Sequence, residues 1–279
     1  MSWTSQVSDN RELPPQLFRS LSPVTQALVV FFAVLIPTFL FSPDPRSSTA
    51  VLQSVILQLL LVALVPLAVA HSLNFDKILV FSLRPISRKN FLWCLLLGSS
   101  AIFLMDEIAF LQQRLTGVQA NLSPEVEKLL HADSVLQLGW IVFAMALTPA
   151  ICEELLFRGF ILGRFLEAGG PGQSLMMTSL LFGLFHRNLA TLLPMTLAGI
   201  LLAFAVWRTG SLYCGITMHA LINMWAIVVV NARLEESLPW TRQPSHLPAG
   251  LLLICILCVV VAGKQLHKEQ LAGTGEQDS

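Results

Sequence analysis

The stretch MALTPAICEELLFRGFILGR (145–164) sets two acids, Glu153 and Glu154, and one guanidinium, Arg158, inside a run that otherwise reads as apolar helix. A charged side chain at the centre of a bilayer costs ~2.5–3.5 kcal/mol on insertion scales. Such groups therefore turn to the interior of a bundle and take a partner. Glu154 and Arg158 are four residues apart with the acid on the N-terminal side, the favourable order for a helical ion pair. Glu153 points about 100° away from Glu154 around the helix axis. One acid can thus be held while the other is presented. On this motif alone, an ion pair that only fixes helix packing remains open.

Working outward, apolar runs recur at 24–41, 51–70, 91–111, 136–162, 174–187, 189–207, 211–231 and 247–263. A membrane helix needs ~20 apolar residues, within a range of about 17–25. The runs are continuously apolar rather than alternating, which selects helices over a barrel. The expected fold is all-α, a polytopic transmembrane bundle of about eight segments, with the short run at 174–187 able to end inside the protein. Prolines interrupt several runs (Pro37, Pro66, Pro149, Pro194), and neighbouring helices can satisfy the backbone groups they free.

Composition agrees. Of the 279 residues, 54% are hydrophobic and 12% charged, and the mean hydropathy is +0.70. Soluble domains carry about 25% charged residues. The net charge is zero, so nothing points to a nucleic-acid partner. The partner that composition implies is membrane lipid. The cysteines Cys94, Cys152, Cys214, Cys255 and Cys258 all lie in apolar runs without ligand-type spacing and read as core packing, not disulfides.

The organisation reads as a polar N-terminal segment (1–22), N-terminal membrane helices with an outer loop (23–135), a membrane core (136–263) and a polar, disordered tail (264–279). The first apolar segment is retained, because residues 1–22 are too polar for a signal-peptide core. With the N-terminus inside, one side collects most of the Lys and Arg, among them Lys77, Arg84, Arg88, Lys89, Arg164 and Arg208. That bias places both termini in the cytoplasm, in a compact form that fits a prokaryotic plasma membrane. In the outer loop Ser123 is placed to cap a short helix with Pro124 in its first turn. Asp106 and Glu107 read as interfacial, and His131 and His246 fall in polar loops.

Two further constellations follow the first. FGLFH places Phe182 and His186 four apart, and HALIN places His219 and Asn223 four apart on one helix face. Counting ~1.5 Å per residue from the ends near Arg164, Gln173 and Ser211 brings Glu153, His186, His219 and Asn223 to similar depth. A carboxylate with a histidine can orient and deprotonate a water. A second histidine and a carboxamide can donate to a developing oxyanion. The set suits peptide-bond hydrolysis without a covalent nucleophile. It could also bind zinc through Glu153, His186 and His219 with one position open, although the HExxH signature is absent.

EELLFR, FGLFH and HALIN resemble, in order and approximate separation, the motifs EExxxR, FxxxH and HxxxN/D of the CPBP family. These are the CAAX proteases and bacteriocin-processing enzymes, also called Abi proteins or type II CAAX prenyl endopeptidases. The likeness covers 145–231. It implies an intramembrane endopeptidase with a cavity open towards the cytosol and, as partner, a peptide or lipidated-peptide substrate. Carried over by position, Glu153 and His186 would activate water, and His219 and Asn223 would form the oxyanion hole. Glu154, Arg158 and Phe182 would support the site. The mechanism it implies is glutamate-dependent with no cofactor, zinc being the alternative. Two other classes stay in view: a non-catalytic bacteriocin-immunity or scaffolding protein, and a proton-coupled transporter.

Overall fold

The computed structural model describes residues 14–118, 123–234, 238, 240 and 245–275. In chain order its helices are α1 (Pro14–Ser20), α2 (Pro23–Leu40), α3 (Ala50–Ser72), α4 (Lys77–Val80), α5 (Arg88–Thr116), α6 (Pro124–Leu130), α7 (Val135–Ala168), α8 (Pro171–Phe185), α9 (Leu189–Thr209), α10 (Leu212–Asn231) and α11 (Ala249–Gly275). Among the described residues, 7 helices are long and apolar enough to cross a membrane. The remaining apolar run is α8, which has only 15 residues. The protein is an all-α, polytopic integral membrane bundle.

Local sequence explains where these helices begin and end. Ser22, Ser87, Ser123 and Ser134 each accept a backbone N–H of the first turn, and Pro23 and Pro124 occupy starting positions that need no donor. The expected Ser123 cap is present. Gly117 (φ 72°) and Gly210 (φ 62°) end α5 and α9 in the left-handed conformation that glycine adopts without strain. α3 and α7 contain π-helical turns at Gln58–Ala63, Val142–Leu147 and Leu155–Ile161. Pro66 and Pro149 follow the first two. A proline ring clashes with the carbonyl four residues back, and a wider turn relieves that clash.

α8 lacks full spanning length but still carries the chain from one end of the bundle to the other. It starts just past the Arg164 end of α7. Past its C-terminus, Arg187 donates to Thr38 O and Ser42 Oγ at the end of α2. Both described termini lie at the Arg164 end. Arg19 donates to Leu73 O at the end of α3, Ser211 Oγ donates to Arg84 O at 2.7 Å, and Leu266 packs in the cluster of Cys94 and Cys214.

Two expectations are corrected. Cys94 of α5 and Cys214 of α10 form a disulfide, with Cα atoms 5.9 Å apart and 120 residues of sequence separation. Spacing along the chain carries no trace of a pair made between two helices. The tail is not irregular from 264: α11 continues to Gly275, and its Gln, Leu, Lys and Glu residues favour helix. Residues 276–279 lie outside the described residues. Glu107, read as interfacial, is buried among protein contacts, as described below.

Candidate active site

The site is built on α7, whose Thr148–Glu154 turns carry both acids and whose next, π-helical turn carries Arg158. Glu153, Glu154 and Arg158 are 5%, 0% and 1% exposed. Arg158 Nη1 donates to Glu154 Oε1 at 2.6 Å, and Arg158 Nη2 donates to Gly199 O of α9 at 3.2 Å. The guanidinium lies over the Phe182 ring of α8, 4.3 Å from its centroid. A cation over an aromatic face is attracted by the ring quadrupole, and more so when desolvated. Arg158 thus binds three helices together around one charge.

α10 brings His219. Its Nδ1 lies 2.9 Å from Glu154 Oε1, the oxygen that Arg158 also uses. A carboxylate only accepts, so Nδ1 carries the proton and Nε2 is turned elsewhere. Nε2 lies 3.8 Å from Glu153 Oε2. Gly215, one turn before His219, makes this approach possible. A Cβ there would stand 2.5 Å from Glu154 Oε2. His219 also meets the Phe182 ring edge-on at 5.6 Å.

His186 sits at the end of α8, half-buried, with Nδ1 2.9 Å from Phe182 O. A carbonyl fixes the proton on Nδ1 and leaves the Nε2 lone pair available. Its ring lies 4.8 Å from that of Phe182. Phe182 therefore has His186 and His219 at its edges and Arg158 over its face. Asn223 is half-buried on α10, one turn beyond His219, and makes no hydrogen bond among the described residues. The structure joins Glu153, Glu154, Arg158, Phe182, His186 and His219 through contacts. Asn223 is joined only by its place on the helix.

One neighbour escaped the sequence reading. Gln58, at the start of the π-helical turn in α3, donates its Nε2 to Glu153 Oε1 at 2.9 Å. Its only sequence signal is a carboxamide in an apolar run that also holds Gln53. It leaves Glu153 with one oxygen held and the other, Oε2, buried without a partner. As for zinc, no three His, Cys, Asp or Glu side chains among the described residues are grouped to hold a metal ion. The set Glu153, His186 and His219 is not assembled as ligands in this arrangement.

Among the described residues, a third buried acid lies outside α7 in a different setting. Glu107 of α5 is 7% exposed. Its Oε1 lies 2.8 Å from His246 Nδ1, and its Oε2 accepts from Leu247 N at 3.0 Å. Asp106 is half-buried beside it.

Fold and cluster together define a helical membrane protein with acid, guanidinium and imidazole groups joined within its spanning segments. Residues 135–225 match the family model "Type II CAAX prenyl endopeptidase Rce1-like", and all seven residues singled out by the three motifs fall inside that segment. The resemblance read from those motifs therefore holds there. "Putative membrane peptidase YdiL" of Bacillus subtilis (strain 168) is 26% identical over 97 residues, covering 35% of this chain and 40% of that relative. The match thus spans less than half of the relative's length. No solved structure gives a significant match.

Proposed function

We propose that this protein is an intramembrane endopeptidase that hydrolyses a peptide bond of a membrane-associated peptide or lipidated peptide. The observation that carries this reading is the partnerless Glu153 Oε2 beside His219 Nε2. Most buried polar atoms have a hydrogen-bond partner, and an exception marks a place where something else binds or reacts. A gap of 3.8 Å is too long for a direct hydrogen bond and suits a bridging water.

In the proposed step, Glu153 Oε2 takes a proton from a water that His186 Nε2 helps to orient. The water oxygen attacks the scissile carbonyl. The resulting oxyanion accepts from the Asn223 carboxamide and from His219, which enters the step with a second proton, taken up from solvent, on Nε2 while its Nδ1–H stays on Glu154. Glu153 then passes its proton to the leaving amide nitrogen, and the C–N bond breaks. Glu154 and Arg158 never touch substrate. They orient His219 and neutralise each other. No cofactor enters this scheme. The basic end would face the cytoplasm of a prokaryotic cell.

The test compares peptides released from membranes by the native chain and by Glu153→Gln. The amide keeps an acceptor for Gln58 but cannot take a proton, so turnover should vanish while the detergent-solubilised protein melts as before. Equal release by both chains would remove Glu153 from the chemistry and favour a non-catalytic role for the same fold.

A further inference from the structure

A cavity of about 290 Å³ opens at the basic end of the bundle, between α4, the last turns of α7 and the end of α9. Glycines of α7 shape it. Phe81 seats on Gly159, where a Cβ would stand 2.6 Å from Phe81 Cδ1. Beside Gly163 only Val80 O comes within 4 Å, at 3.8 Å. The wall is largely apolar, with Leu79, Leu162 and Trp207, and its polar side chains are Ser82, Arg158, Arg164 and Glu167.

Arg164 is 9% exposed, and its Nε is buried with no partner. Its guanidinium lies 4.7 Å from the Phe75 ring centroid and pairs through Nη2 with Glu167, whose side chain is 50% exposed. Nε is sealed from the cavity, but the guanidinium meets only one acceptor among the described residues, Glu167 at Nη2, and its Nη1 donors remain for a phosphate, which matches guanidinium geometry well. A purely anionic ligand would also meet the Glu167 carboxylate, and a purely cationic one would meet Arg164. A ligand carrying both charges satisfies both residues. At the mouth, α4 turns Ile78 and Leu79 outward, 57% and 59% exposed. Two large apolar side chains beside a charged pocket suit the boundary between headgroups and acyl chains.

We propose that this cavity binds the headgroup of a lipid bearing a phosphate and a primary ammonium. The phosphate lies on Arg164, the ammonium on Glu167, and the acyl chains run past Ile78 and Leu79. Arg158 of the hydrolytic cluster also reaches the cavity wall, but the proposed headgroup contacts do not use it.

The test is native mass spectrometry of the delipidated full chain with phosphatidylethanolamine, phosphatidylglycerol, phosphatidylcholine or soluble phosphoethanolamine. Phosphatidylethanolamine should be retained over the other two lipids, and soluble phosphoethanolamine should not be retained. Arg164→Gln should lower that retention about tenfold, the ratio for losing one charge-assisted hydrogen bond. Glu167→Gln alters a half-exposed side chain, so the fold is kept. It should erase the preference over phosphatidylglycerol without abolishing lipid binding. Gly163→Met should fill the cavity and abolish selective retention. Equal retention of all three lipids by the native chain would overturn the proposal. So would unchanged selectivity in Glu167→Gln, or retention of soluble phosphoethanolamine as strong as that of the lipid.

Discussion

Glu154 and Glu107 each meet a histidine Nδ1, at 2.9 Å and 2.8 Å. The contacts are alike, but the surroundings differ. Glu107 has both oxygens occupied, by His246 and by Leu247 N. It fastens the segment before α11 to α5, and His246 is exposed on its outer side, with 68% of its side chain accessible. Around Glu154 nothing is closed in that way. Glu154 Oε2, Glu153 Oε2 and Arg158 Nε are all buried without partners. A carboxylate with both oxygens satisfied behaves as a fastening. A buried cluster with unmet atoms holds free energy that a substrate, a water or a transition state can recover.

The largest expected separation between the two regions comes from the isosteric exchange of an acid for an amide. Glu153→Gln should leave no measurable turnover and little change in melting. Glu107→Gln should do the reverse, because an amide cannot accept at both positions while cleavage chemistry lies elsewhere. Loss of turnover in Glu107→Gln at unchanged stability would break the comparison.

Arg158→Ala ranks next. Glu154 would then be left charged and buried with only His219 as partner. Removing one member of a buried ion pair costs ~3–5 kcal/mol. Folded yield and melting temperature should fall together with activity, and Arg158→Lys should restore stability only in part, because an ammonium cannot reach Glu154 and Gly199 O with the same planar fork. Normal melting with activity alone lost would move Arg158 from orienting His219 to contacting substrate.

Asn223→Ala should act on rate. Removing one oxyanion donor lowers kcat by ~10²–10³. Because the donor acts on charge that exists only in the transition state, KM should change little. A rise in KM at constant kcat would place Asn223 in ground-state binding instead.

The parts of this site that were legible in the sequence are those fixed by helical spacing on one chain segment. Glu154 with Arg158, Phe182 with His186 and His219 with Asn223 each lie one turn apart, and an apolar background makes any polar residue conspicuous. Contacts that depend on how helices assemble left no such pattern. Gln58 meets Glu153 across 95 residues, and Cys94 meets Cys214 across 120. Gly215 reads as any small residue until Glu154 is placed against it. The burial of Glu107 was not legible because its partners, His246 and Leu247, lie 139 and 140 residues away. The bundle itself was readable because lipid forces long apolar runs into helices. The short α8 was readable by the same rule, since its run falls below spanning length.

The smallest effect belongs to His246→Ala. The substitution removes one hydrogen bond to Glu107 and the tilted contact of the imidazole with Phe110, whose ring centroid lies 4.1 Å away. Glu107 Oε2 would still accept from Leu247 N, and the vacated oxygen lies beside an exposed side chain, where water can replace the imidazole. A hydrogen bond exchanged for water in this way contributes ~0.5–1.5 kcal/mol net. His246→Ala should therefore lower the melting temperature slightly and leave turnover unchanged. The matching His219→Ala opens a buried site that water enters less readily, strands Glu154 and Glu153 together, and should cost both stability and turnover. If the two histidine variants melt alike, burial does not separate the two pairs, and the cluster on α7 is as well satisfied as the fastening at Glu107.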